Sequence, residues 1–192
     1  IYIDWCSDGW NDRLEFPKAE ILRTRLDQTV LRLAEAGFDA EELSFFHQPP
    51  REQIHEAKRA LRALGCMKED GTVTAIGRQV SKLPVSVQYG RMIVEAERLE
   101  VTDDVITVAA ILEQGEIHAR VCAPHRAQEE SSCRCWKKLA PEEKESDVLA
   151  ELAVYKAAEK MTKDEMAKGG VFLKAFFQAK EKRRHIAEGL RG

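Results

Sequence analysis

The sequence predicts a mainly α protein in two parts, a small helical unit with one short β-hairpin and then a helical bundle. Three observations carry that expectation. Apolar residues recur at three- and four-residue spacing through most of the chain. The strongest hairpin signal is Asp70-Gly71, with Cys66-Met67 before it and Thr72-Val73-Thr74 after it. Val105 to Leu112 is apolar on nearly every face, so a helix there belongs at a bundle centre.

Composition agrees with a globular protein. Of 192 residues, 44% are apolar and 33% charged. No apolar run reaches membrane-spanning length and no secretory pattern opens the chain, so no membrane partner is expected. Five cysteines without a regular framework fit a reducing compartment, the cytoplasm with the nucleus left open. The formal charge is -3, yet residues 172–192 carry six Lys/Arg against two Glu. Such a local basic surface can attract phosphate, because screening keeps the field local.

The elements follow in order. Ile1 to Ile3 reads either as a strand whose sheet partners lie elsewhere or as a frayed, partly exposed terminus. Pro17 suits the first turn of a helix running to Ala36, with Ile21, Leu22, Leu26, Val30 and Leu33 on its inner face and Gly37 at its end. Ala40 to Phe46 reads as one helical turn. Pro49-Pro50 restarts the chain, and Ile54, Ala57, Leu61 and Leu64 step along a helix from Arg51 to Leu64, closed by Gly65. After the hairpin, Thr74 caps a short helix from Ala75 to Leu83 that Pro84 ends. Helix, hairpin and helix together make a winged-helix element. Ser86 caps a helix to about Leu99, and Thr102, Asp103 and Asp104 cap the next. Gly115 to Glu145 reads as a long loop. Ser146 caps a helix to about Met161, and Thr162 to Glu165 is a capping box opening a short one. Gly169-Gly170 breaks it, and a last helix spans Val171 to Leu190.

Leu64-Gly65-Cys66, Asp70-Gly71, Thr74 to Gly77 and Leu83-Pro84-Val85 carry a family likeness. In that order they resemble the winged-helix segment of DEAH-box (DEAH/RHA) RNA helicases. Ala19 to Arg23 and Phe45 to Pro50 extend the match upstream. Ala19, His47-Gln48 and Cys66 depart from the usual pattern. The resemblance implies three regions. Residues 1–12 would be the remnant of a preceding motor domain, 13–85 a winged-helix domain, and 86–192 a ratchet-like helical bundle. It implies an accessory region of an ATP-dependent RNA helicase, coupling the motor domains to single-stranded RNA, or DNA. ATP and Mg would then bind the parent's motor domains and no cofactor this chain.

The residues alone point away from catalysis here. No G-x-x-x-x-G-K-[ST] loop occurs, so nothing cradles a triphosphate, and the chain itself is not expected to hydrolyse ATP. Asp164 to Ala167 echoes a Walker-B box but lacks a preceding apolar strand and lies in the capping box. Asp103 and Asp104 are adjacent, point apart on a helix and read as a cap. His118, Cys122, His125, Cys133 and Cys135 share one polar segment, but Cys133-Arg134-Cys135 is a poor zinc spacing, and no metal is expected.

The binding candidates lie in the last helix. Phe172, Ala175, Phe176, Ala179, Ile186, Ala187 and Leu190 form one apolar stripe, with Arg183 in its middle. Leu173, Phe177, Lys180, Arg184 and Arg191 form a second, mixed face. Lys180, Arg183 and Arg184 are the expected nucleic-acid contacts, and Phe177 lies one turn before Lys180. Against this, the basic stems can simply snorkel over a widened core. Two other classes compete: a free-standing winged-helix DNA binder reading through Arg78, Gln79 and Lys82, and an interaction scaffold without a nucleic-acid role.

Overall fold

The computed structural model describes residues 19–22, 24–118 and 146–191. Among these, eight α-helices and one 3-10 turn (Glu20–Leu22) form. The helices are α1 (Asp27–Glu35), α2 (Arg51–Ala63), α3 (Ala75–Lys82), α4 (Val87–Arg98), α5 (Thr102–Gln114), α6 (Asp147–Ala158), α7 (Lys163–Lys168) and α8 (Leu173–Arg191). The protein is mainly helical, as expected. The strand read at residues 1–3, and Pro17, lie outside the described residues.

The first expected helix is shorter than its apolar pattern. Thr24 turns its hydroxyl back to the Glu20 carbonyl at 3.0 Å, and the same carbonyl accepts the Thr24 amide at 3.0 Å. A Thr side chain bonding this way offers the backbone an alternative to the helix ladder. α1 therefore starts only at Asp27, whose carboxylate pairs with Arg25 at 2.7 Å. Gly37 closes it at φ 85°, as expected. The single helical turn read at 40–46 is absent: Ala40 to Glu42 form a turn and the next residues are irregular.

The two short strands expected around Asp70-Gly71 do not form either. A single antiparallel bridge, Met67 to Val73, stands in their place among the described residues. The turn itself is as read: Gly71 takes φ 86°, and the Asp70 carboxylate accepts from the Thr72 amide at 2.9 Å and hydroxyl at 2.7 Å. The chain is too short for a ladder, because α2 ends at Ala63 and α3 begins at Ala75. Lys68 N donates to Thr72 O and Thr74 N to Cys66 O, and the pairing stops there. Thr74 then accepts from Gly77 N at 3.0 Å and donates to Gly65 O at 2.6 Å, pinning α3 onto the end of α2.

Two caps also shift. Val101, not Thr102, is the N-cap of α5, so Thr102 is its first helical residue and Asp103 and Asp104 lie in the first turn. Ser86 is the N-cap of α4 but its side chain makes no cap bond; its amide donates to Glu113 at 2.8 Å. Elsewhere the capping reading holds. Ser146 accepts from Leu149 N, and Thr162 and Glu165 form a complete capping box.

Three apolar clusters hold the fold. One joins α1, α2 and α3 through Val30, Leu31, Ile54, Leu61 and Val80, and takes in Val87 of α4. A second places Ile93, Ile106, Ala109 and Ile186 beside Leu83. The third packs Ile111, Val154, Tyr155, Met166 and Phe176. α5 and α8 share the most extensive helix contact. Ala109, Ala110 and Ala179 are fully enclosed there, and small side chains let two helices approach closely. α5 is thus central, as its sequence implied. The segment after α5 is tied in by Ile117 O, which accepts from Phe172 N at 2.8 Å, so it runs beside the start of α8.

Candidate nucleic-acid interface

α8 presents one closed face and one open face. Phe176, Ala179 and Ile186 are buried to within 1% of completely. Phe176 meets Tyr155 at 5.1 Å between ring centres. Phe172, placed in the apolar stripe, is instead half exposed and precedes the helix.

The three basic residues expected to act together point to three different places. Arg183 lies over the N-terminal half of α5. Its Nε donates to Thr107 Oγ1 at 2.9 Å and its NH2 to Asp103 Oδ1 at 2.5 Å. Thr107 in turn donates to Asp103 O at 2.8 Å, so the guanidinium is held by a small network. Lys180 faces α6, with Nζ 3.8 Å from Glu159. Arg184 stays on its own helix, 2.6 Å from both Glu181 and Glu188. Those carboxylates push the Arg184 guanidinium further above its already high range, and its hydrogen bond holds Glu181 below the usual carboxylate range. Lys180 and Arg184 remain more than half exposed, whereas Arg183 is 29% exposed.

A fourth cation reaches α8 from elsewhere. The capping box of Thr162 and Glu165 opens α7 at Lys163. Lys163 Nζ lies 5.6 Å from the ring centre of Phe177, which is 42% exposed. Lys163 was missed in the sequence because nothing there shows α7 folding back onto α8. The capping box was the signal for the helix start, but not for its neighbour.

The remaining candidates resolve into structural roles or lie outside the described residues. Asp103 pairs with Arg183 and Asp104 with Lys156 at 2.6 Å, so the two acids do point apart. Glu165 accepts from Thr162 N at 2.7 Å and Oγ1 at 2.8 Å, consistent with capping rather than metal chemistry. His118 is 2% exposed, its Nδ1 3.1 Å from Glu151. Cys122, His125, Cys133 and Cys135 lie outside the described residues, and no group of three or more potential ligands occurs among those described. Cys66 is buried, which pushes its thiol up and keeps it protonated. On α3, Arg78 donates to Val73 O at 3.1 Å and is spent on the turn. Among the described residues no helix is long and apolar enough to cross a membrane.

The chain is similar to the ATP-dependent RNA helicase HrpA of Escherichia coli (strain K12), 29% identical over 152 residues. That alignment covers 76% of this chain but 11% of the helicase, so the chain spans about a tenth of its relative's length. It agrees with the DEAH-box resemblance carried by Leu64 to Cys66, Asp70-Gly71 and Leu83 to Val85. Residues 86–186, running from the cap of α4 to Ile186 on α8, match the helicase associated domain (HA2), ratchet-like, and the chain belongs to that family.

Proposed function

We propose that this chain is the accessory region of an ATP-dependent DEAH-box-like RNA helicase and couples its motor domains to single-stranded nucleic acid. The ratchet-like family match over residues 86–186 carries the reading. ATP and Mg belong to the motor domains, which drive the cycle. This chain's share is to grip the strand without reading its sequence, so that motor closure advances it. The partners are those motor domains and single-stranded RNA, or DNA, in the cytoplasm.

The winged-helix reading of residues 13–85 is part of the proposal. α1, α2 and α3 pack in one cluster, and the Met67–Val73 turn is a wing reduced to one bridge. Independent duplex reading is less well supported, since Arg78 is engaged by Val73 and only Gln79 and Lys82 are left on α3.

Within this reading Lys180 and Arg184 are the phosphate contacts, with Arg183 at their flank bracing α8 on α5. Both exposed cations sit beside carboxylates, and phosphate must compete for them. Contacts of this kind act alike on all sequences and weaken with salt. Changing Lys180 and Arg184 to Ala in the full helicase should weaken single-strand binding and flatten its salt slope by up to about two. Melting temperature should hardly move, because exposed pairs contribute little. Unchanged affinity and slope would sink the assignment; a large loss of stability would make them structural residues.

A further inference from the structure

We propose that the ring of Phe177 is a nucleobase-stacking platform, with Lys163 of α7 and Lys174 and Lys180 of α8 supplying phosphate contacts around it. The inference rests on the reading that the chain grips single-stranded RNA, and gives that grip a place.

Phe177 is not required to fill the core. Phe176 does that at 1% exposure, while Phe177 beside it is 42% exposed. The two rings meet edge to face, 5.4 Å apart at 76°, which fixes the plane of the outer ring. An exposed aromatic ring held in one orientation is a ready surface for a flat base.

The charge around it has one sign to spare. Lys163 arrives from a separate element, with its ammonium 5.6 Å from the ring centre. Lys174 and Lys180 stand three residues before and after Phe177, so they flank it on the surface of α8. Lys163 and Lys174 have no ion-pair partner among the described residues, and the one contact of Lys180 is long, at 3.8 Å. Nearby acids are mostly committed: Glu165 to Thr162, and Glu181 to Arg184 and His185. Glu159, 3.8 Å from Lys180, and Asp164, beside Lys163 in α7, are the exposed acids left over.

A partner for this patch needs a flat π-face and anionic links, and an unpaired RNA strand has both. An acidic peptide would use the lysines and leave the ring idle. An exposed ammonium–ring contact is weaker than a base stack. An arriving base can therefore take the ring, while Lys163 moves to the adjoining phosphate. Every base has a π-face, so this grip would be indifferent to sequence.

The test uses the 192-residue chain and fluorescently labelled single-stranded oligouridylate of about a dozen nucleotides, followed by anisotropy across a salt series. Phe177→Leu should weaken binding by roughly 5- to 100-fold, the loss expected for one stacked base, and Phe177→Trp should retain it. Lys163→Gln should lower the salt slope by about one. An abasic strand should bind wild type and Phe177→Leu equally. A 5-iodouracil strand should photocrosslink to Phe177 in the wild-type protein, a readout that needs no variant to fold. Wild-type affinity in Phe177→Leu, or a crosslink mapping elsewhere, overturns the platform. If Arg184→Ala then loses binding, the grip lies further along α8 and the proposed function stands. Failure of the wild-type chain to bind any strand at low salt overturns the platform together with the grip. Equal loss of polyglutamate binding in Phe177→Leu makes the patch a dock for acidic protein and also overturns it.

Discussion

Gly77 shows how little room single residues have where α3 meets α2. A Cβ built there would fall 2.1 Å from the carbonyl oxygen of Cys66 and 2.7 Å from Val73. The first obstacle is backbone and cannot swing aside. Gly77→Ala should cost at least about 1–3 kcal/mol, the usual range for overpacking, and urea denaturation will measure it. A shift of a few tenths would mean that the turn yields. Asp39 offers a prediction in pH. The Glu41 amide and the Lys58 ammonium, 2.8 Å away, hold its carboxyl below the ordinary 3.8. A carboxyl lowered on folding contributes stability that is complete above its unfolded value and is lost as pH falls through the folded one. Melting temperature should therefore fall more steeply below about pH 4 in the wild type than in Asp39→Asn. Parallel curves would show that the pair does not matter to folding.

At the scale of elements, the caps explain why so many helix boundaries were legible. An N-cap is a contact between residues two or three apart, so its pattern lies within a few letters of sequence. Thr74, Ser146 and Thr162 all sit where their hydroxyls place them. The failures have local causes too. Thr24 back-bonds and delays α1, and the turn at Gly71 leaves no length for strands. Thr162→Ala removes the hydroxyl partner of both the Glu165 amide and carboxylate. It should cost about 1 kcal/mol and raise amide exchange in α7 before any other helix. Exchange spread evenly across the bundle would argue that α7 does not open separately.

At the scale of the whole molecule, the halves on either side of Pro84 are bound together. Val85 O accepts from Gln28 of α1 at 3.1 Å, while the next amide donates to Glu113 of α5. A Cβ on Gly189 of α8 would already touch Pro84 at 3.4 Å. NMR relaxation should give one rotational correlation time for residues 24–118 and 146–191; two separate times would refute a shared interface. Periodicity and caps were enough to place most of the helices and the central position of α5, and the ordered motifs from Leu64 to Val85 carried the helicase likeness, because each is written within a few turns of chain. Which cations are spent and which are free was decided only by tertiary structure. Arg183 meets Asp103 across 80 residues, and Lys163 reaches Phe177 only because α7 folds onto α8. Charge pairing is short-ranged in space and indifferent to distance along the chain, so the sequence could name the basic residues but not their partners.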